Sequence, residues 1–564
     1  MSAVFPEFAA RRIGRVALVA SLVGILAACG HEPPPAVLPP PTVAKPETPK
    51  PPAQPETPDA PFRSNAPAKS DGLRPFVAPK VTELSLKNGI KVLFVPHAVP
   101  TVSVAVVIKA GQGDVPDAKP GALSFLGAML EQGTKSRSAL KLSDDFEAIG
   151  AHHDASFGWD SGQVAMDVLA EHLDAGLELL SDVVQNPTFP KEEVERLRAR
   201  RIAGLQSDKN SPTTMMLNAQ AAALFGRAHP YGHSLTGEIA DVNAISSAEL
   251  SRLHKALFVP ALTTLVVSGG VGESALLGSL ERTFGTLKGA ARARGAVPAP
   301  PAVKKGAKEE PRLVVVDKPR AAQSQICVTQ VGVPASTADR DAITVMNAIL
   351  GGMFSSRINL NLREKHAYTY GARSYFSMRR GAGPFAASAA VVTEKTAPAL
   401  HELFVELEAM RSSEVTDAEL QGAKEGIVQT LPARFETARD VVGAIADLVI
   451  YDWPADEYAT RAERISKVTA ADVKRVAQKL TPRTMKVVLV GDKTRLEPDL
   501  DALHLGPLEL RDAFGNRAEE AKPEGSKGSP QAPGAPMTAS GAPAKAPAAP
   551  PSAPKPPVAS PKKK

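Results

Sequence analysis

The feature that most restricts how this chain can fold is that it carries the same ending twice. Val242-Asn-Ala-Ile-Ser-Ser-Ala-Glu-Leu-Ser-Arg-Leu253 and Ile465-Ser-Lys-Val-Thr-Ala-Ala-Asp-Val-Lys-Arg-Val476 follow one pattern. In each, a Ser or Thr able to cap a helix precedes an amphipathic run. Each then passes through a proline, Pro260 or Pro482, into an apolar strand, Leu262 to Gly269 or Met485 to Gly491. The beginnings correspond too. Ile90 to Pro96 and Val102 to Ala110 read as strands around a turn, and Leu313 to Asp317 and Ser324 to Val333 take that part again. A chain with this internal period is two similar bodies in tandem.

Between the strands, helical patterns run through Gly121 to Gln132, Leu142 to Ala148, Leu169 to Gln185 and Lys191 to Gln206. The second body has them at Asp339 to Leu350, Ala397 to Ser412 and Asp417 to Leu431. Clustered strands with long helices among them read as α+β. At 564 residues there is length for such a pair. The expected domains are 80–288 and 311–516, with a linker rich in Ala, Pro, Lys and Gly at 289–310.

The ends of the chain have another character. Arg11, Arg12 and Arg15 precede an apolar run from Val16 to Ala28, shorter than the roughly 20 residues a membrane-spanning helix needs. The run ends in Leu26-Ala27-Ala28-Cys29, so 1–29 resembles a bacterial lipoprotein signal whose Cys29 is lipidated. Gly30 follows, not Asp, which fits a protein anchored at the outer membrane with its globular part in the periplasm or at the cell surface. The plainer alternative is a cleaved signal with a chance Cys, but Cys29 is one of only 2 cysteines. From 30 to 79 the chain is dominated by Pro and Ala, and is expected to be a semi-stiff tether reaching on the order of 150 Å. A tail from 517 to 564, rich in Pro, Ala and Lys, is expected to be disordered as well. The net charge of +6 is spread over mixed acids and bases, which offers no nucleic-acid footprint, and Lys562-Lys563-Lys564 is a short solvated tip. Cys327 lies in an alternating strand pattern and is expected to be a buried, inert thiol.

One stretch is informative for what it lacks. Gly121 to Thr134 reads Gly-Ala-Leu-Ser-Phe-Leu-Gly-Ala-Met-Leu-Glu-Gln-Gly-Thr. It resembles the zinc-binding helix of the pitrilysin/insulinase metallopeptidases, the inverzincins, whose frame is Gly-x-x-His-Phe-Leu-Glu-His-Met-x-x-x-Gly-Thr. There the two His, at i and i+4, reach one zinc from one helical face, and the Glu takes a proton from the metal-bound water. Here Ser124 and Ala128 occupy the His positions and Gly127 the Glu position. The family's third ligand is a Glu on a later helix, corresponding to Pro190 to Lys209, where the matching frame Ala203-Gly204-Leu205 holds no carboxylate. Glu131, one turn on, has no His beside it in the sequence and is a poor substitute ligand. The resemblance covers roughly Thr82 to Arg495 and includes Lys87-Asn-Gly-Ile-Lys-Val-Leu, Asn186-Pro-Thr-Phe-Pro and His229-Pro-Tyr-Gly.

A second signature is complete. Phe354-Ser-Ser-Arg-Ile-Asn-Leu-Asn-Leu-Arg-Glu-Lys-His-Ala-Tyr-Thr-Tyr-Gly371 resembles the family motif in which a helix ending Leu-Arg-Glu-Lys is followed by a Tyr. The pair here is Arg363 and Tyr370. In active relatives these side chains hold the substrate backbone and stabilise the tetrahedral intermediate, as a fixed cation and a phenol can in a partly dehydrated cleft. The alternative is a helix-capping Arg and a packed strand Tyr. Tyr368, two residues away, competes for the role. His152-His153-Asp154 falls where the family places a substrate-pairing edge strand, and neighbouring strand residues face opposite ways, so the two His would not chelate one metal. His229 and His233 flank Pro230 and Gly232, which marks a loop and not a zinc helix.

The resemblance implies α+β tandem domains, each an antiparallel sheet packed with helices, forming half of a clam shell. Some bacterial inverzincins are heterodimers in which one subunit carries the zinc and the other the Arg/Tyr pair. This chain matches the second: it would bind no cofactor itself, and would lend Arg363 and Tyr370 to a zinc-bearing partner acting on peptides. The alternative is a catalytically inactive binding or assembly lipoprotein.

Overall fold

The computed structural model describes residues 76–290, 293–301, 312–500 and 503–518. Cys29, nearly all of the tether and the tail beyond 518 lie outside the described residues. Among the described residues no helix is long and apolar enough to cross a membrane.

Each half of the chain builds a six-stranded sheet. The first uses β1 (Thr82–Ser85), β2 (Lys91–Pro96), β3 (Thr101–Ile108), β4 (His152–Phe157), β5 (Gly162–Leu169) and β6 (Thr263–Gly269), in the spatial order β1-β2-β6-β3-β5-β4. The second uses β7 (Leu313–Asp317), β8 (Gln323–Val331), β9 (Thr369–Phe376), β10 (Pro384–Val392), β11 (Lys486–Gly491) and β12 (Leu508–Arg511), in the order β12-β7-β11-β8-β10-β9. The expectation of antiparallel sheets needs correction. β2–β6, β7–β11 and β7–β12 are parallel pairs, and the sheets are mixed. The cause is the repeated ending itself. The closing strand of each half, β6 or β11, inserts between the two opening strands of that half. Opening strands that run in opposite directions leave an inserted strand antiparallel to one and parallel to the other.

The first half contributes α1 (Ala122–Leu130), α2 (Ala139–Ala148), α3 (Leu173–Gln185), α4 (Lys191–Asp208), α5 (Pro212–Phe225), α6 (Ile239–Ala244), α7 (Ser247–Leu257) and α8 (Glu273–Phe284). The second contributes α9 (Arg340–Asn347), α10 (Thr396–Ser412), α11 (Asp417–Gln429), α12 (Ala438–Tyr451), α13 (Glu457–Lys467), α14 (Ala470–Ala477) and α15 (Lys493–Leu500). The caps expected at the repeated ending are present. The Ser246 side chain accepts from Glu249 N ahead of α7, and Thr469 forms a reciprocal capping box with Asp472 ahead of α14. The helix expected to run to Leu350 stops at Asn347 and widens into a π-turn over Ala348–Gly352. There Gly351 lies so close to Ser374 that a Cβ would sit 2.4 Å from its backbone nitrogen.

One face of each sheet packs on helices of its own half. The other face is covered by a helix from the opposite half. On the first sheet, Val95, Ala105, Val107 and Val266 form a cluster with Val441, Val442, Ile445 and Leu448 of α12. On the second, Val314, Val316, Cys327, Val488 and Val490 form one with Met215, Met216 and Ala219 of α5. Gln220 on α5 also donates to the Thr329 hydroxyl at 2.8 Å. Each buried Val, Ile, Leu or Met side chain of these clusters contributes about 1.5–3 kcal/mol, and separating the halves would expose two apolar sheet faces. The halves accordingly form one compact unit.

Polar contacts tie the same junction. Arg380 ion-pairs with Asp114, and its amide donates to Asp160 at 3.1 Å. The Tyr231 hydroxyl donates to Asp160 at 3.0 Å, and the Arg379 guanidinium stacks on the rings of Trp159 and Tyr231 at 4.5 and 4.6 Å. Arg294, in the connection between the halves, donates to the carbonyls of Asp160 and Ile450, both at 2.6 Å.

Candidate functional site

The frame on α1 is well ordered for packing and unsuited to metal. Gly121, at φ +81°, starts the helix where a Cβ would lie 2.5 Å from the Thr236 carbonyl oxygen. Ser124 donates its hydroxyl to the Gly121 carbonyl at 3.0 Å. Arg201, from α4, donates Nη1 to the Ser124 oxygen at 3.0 Å, and its guanidinium lies 5.8 Å from the Phe125 ring centre. Gly127 is pressed against β4, the edge strand: a Cβ there would stand 3.1 Å from Ser156 Cα and 3.2 Å from Phe157 N. Ala128 is partly buried and packs on the first core. Of the third-ligand frame, Ala203 and Gly204 are exposed and Leu205 is buried.

Zinc therefore does not fit these residues. A Ser hydroxyl, a methyl group and a bare glycine offer no ligand set. Among the described residues there is no group of three or more His, Cys, Asp or Glu able to hold a metal ion. A guanidinium also stands on Ser124, and its positive charge opposes a dication.

Glu131 has the neighbour that its sequence context lacked. His153 arrives from β4 and places Nδ1 2.5 Å from Glu131 Oε1, with the Phe146 ring stacked on the imidazole at 4.0 Å. His152 is exposed. His229 accepts from Tyr231 N at 3.0 Å, beside a short turn at Pro230–Gly232, and burial lowers its pKa. Cys327 is fully buried, and burial pushes its thiol up to about 12.

The second signature has an unexpected local shape. Its helix is a turn at Arg357–Asn359 that widens into a π-helical segment, Leu360–Lys365, bearing Arg363. The Arg363 guanidinium lies over the Phe354 ring at 4.6 Å, with Nε 3.3 Å from Glu364 Oε1 and 37% of the side chain exposed. Tyr370 is on β9, the edge strand of the second sheet, and is 91% exposed. Between the pairs Ala389–Ala372 and Val391–Thr369 the register shifts, so Tyr370 and Gly371 together face Ala390. This is a β-bulge, which bends the strand and re-aims its side chain. Tyr368 is partly buried, stacks on His366 at 5.0 Å and packs on the second core. The two tyrosines thus have different surroundings.

Three side chains hold this segment. Asn359 accepts from Ala372 N at 3.1 Å and donates to the Phe354 carbonyl at 2.7 Å, tying the Arg363 segment to the Tyr370 strand. Asn361 donates to Glu402 at 2.9 Å and Glu406 at 2.6 Å on α10. Arg357 makes a two-pronged ion pair with Glu419, at 2.6 and 2.9 Å. That contact is the main reason the Glu419 carboxyl is held down at about 2. Among the described residues, no hydrogen bond, ion pair or ring contact joins Arg363 or Tyr370 to the α1 frame. The structure sets the two signatures on different sheets.

Sequence reasoning missed Arg201, Asn359, Asn361 and the bulge. A signal existed for Arg201: it sits on a helix with Leu197, Arg198, Gly204 and Leu205 at its helical neighbour positions and no acid among them. The bulge had none, because it depends on pairing with β10.

Residues 92–262 match the family model described as insulinase, peptidase family M16, and residues 244–427 match the peptidase M16 inactive domain. The chain belongs to the insulinase family, M16. Other proteins are similar along most of its length. An uncharacterized zinc protease of Mycobacterium tuberculosis is 26% identical over 420 residues, covering 74% of this chain and 93% of that protein. The mitochondrial-processing peptidase subunit alpha of Solanum tuberosum is 26% identical over 458 residues, covering 77% and 86%. Among solved structures, a peptidase M16 inactive domain from Pseudomonas fluorescens superposes with a TM-score of 0.67 at 24% identity, covering 73% of this chain and 98% of that one. A protease from Helicobacter pylori gives 0.66 at 21% identity, over 73% and 100%. These two share the fold of this chain.

Proposed function

We propose that this chain is the non-zinc subunit of a two-subunit M16 peptidase, lipid-anchored through Cys29 at the outer membrane with its body in the periplasm. Its zinc-bearing partner would close over it as the other half of a clam shell. Arg363 and Tyr370 would then contact the substrate backbone and the developing oxyanion at the partner's zinc site. The observation that carries this reading is the contrast between the two signatures. The α1 frame carries a cation, Arg201, on Ser124 and is pressed onto β4, whereas Tyr370 stands 91% exposed at a bulge with no partner of its own among the described residues. The edge strand β4 also leaves a sheet edge on which a peptide could add as a strand, whereas on β9 the amide of Ala372 and the carbonyl of Ser374 are already bonded to Asn359 and Asn347.

Purified alone, the chain is expected to hold no stoichiometric zinc and cleave no peptide. Mixed with an M16 subunit that has an intact His-x-x-Glu-His, peptidase activity should appear. Arg363→Ala should lower kcat by about 100-fold or more, the usual cost of losing an oxyanion donor. Tyr370→Phe should lower it while leaving the fold intact. Activity that survives both substitutions refutes the catalytic role and favours an inactive binding or assembly protein.

A further inference from the structure

We propose that the place the family gives to zinc is, in this chain, an anion site in which Arg201, braced on Ser124, receives a carboxylate of a bound peptide. Ser124 spends its proton on the Gly121 carbonyl, so its oxygen is left to accept from Arg201 Nη1. This brace and the Phe125 ring hold the guanidinium at one end and leave its other N–H groups for a ligand. Several other half-buried or buried arginines of the chain face acids: Arg357 faces Glu419, Arg340 and Arg461 face Glu457, and Arg380 faces Asp114. Arg201 makes no ion pair among the described residues. Burial lowers its pKa, and the positive charge of Arg200 lowers it further.

A partly desolvated cation without a counter-charge gains most from an anion that can accept two of its N–H groups. The setting selects a peptide carboxylate. Helix α1 lies directly on β4, and β4 is a sheet edge on which an extended peptide can pair. Gly127 and Ala128 leave no bulky side chain beside Ser124. The carboxylate would be either the chain end of the peptide or an Asp or Glu side chain. This inference rests on the chain's own zinc frame being silent. It does not depend on Arg363 and Tyr370 and is read on the chain without a partner.

The test uses the full chain and three N-terminally labelled peptides of otherwise neutral sequence, followed by fluorescence anisotropy at low salt. One ends in a free carboxylate, one in an amide, and one in an amide with a single internal Glu. Either acidic peptide is expected to bind about tenfold or more tightly than the neutral amide, the scale of a hydrogen bond to a charged group. A preference for the first marks chain-end recognition, and for the third side-chain recognition; both support the site. Arg201→Gln should abolish the preference and Arg201→Lys should keep part of it. Ser124→Asp should also abolish it while raising the melting temperature, because it supplies an internal carboxylate. Equal binding of all three peptides by the wild-type chain overturns the proposal. So does an acidic preference that persists in Arg201→Gln or Ser124→Asp.

Discussion

Ile445 belongs to α12 in the second half of the chain, yet its side chain is 1% exposed in a cluster walled by Ala105, Val107 and Val266 of the first sheet. Ile445→Ala removes three carbons from that cluster. At about 0.8 kcal/mol per buried methylene, the transfer loss is about 2.4 kcal/mol. The cavity left behind raises the cost to roughly 3 kcal/mol, within the range for such truncations. The informative place to look is not near residue 445 in sequence but at β3. If the exchanged helices make the halves one cooperative unit, the slowest amides of β3 and β6 should lose the same roughly 3 kcal/mol of protection, an acceleration of roughly a hundredfold. Native-state hydrogen exchange resolved by mass spectrometry measures this, and urea unfolding gives the global loss. If α12 and the second sheet exchange faster while β3 keeps wild-type protection, the halves unfold separately and the coupling argued from the helix exchange is wrong.

Other expectations follow from single residues. Ala367 lies at φ +51° between the Arg363 segment and the Tyr370 strand, so Ala367→Gly should raise stability by about 0.5–1 kcal/mol in urea unfolding, relief of the left-handed strain outweighing the added freedom of the unfolded chain. Glu419, ion-paired with Arg357, has a folded-state pKa of about 2 against the ordinary 4.5, so its contribution is complete above pH 4.5 and is lost as the pH falls toward 2. Screening at this partly exposed site reduces that contribution to about 1–2 kcal/mol, and Glu419→Gln should cost this much at pH 7 and flatten acid unfolding between those values. Cys327 should resist a thiol reagent at pH 8 in the native chain and react only on unfolding; rapid native labelling would refute its burial.

Much of the fold was legible because local physics writes it locally. Ser246 and Thr469 announce helices through their caps, and alternation or apolar runs mark β2, β3, β7 and β8. The α+β class, the tandem repeat and the loss of zinc ligands at Ser124, Gly127 and Ala128 are all readable one residue at a time. β3 carried a further hint. Its residues from Val102 to Ile108 are buried on both faces, and such an unbroken run implies cover on both sides, but not what provides it.

By itself the sequence determined which faces must be buried, where helices begin, and that three zinc-motif positions carry no ligand. Tertiary structure alone decided that α5 and α12 change places between the halves, because an apolar face specifies a partner's chemistry and not its address along the chain. It alone brought Arg201 onto Ser124 and His153 onto Glu131, contacts that span 77 and 22 residues. It alone turned Tyr370 outward, since a bulge exists only once two strands have paired. Each of these depends on where distant segments meet, and that is settled by packing rather than by any local pattern.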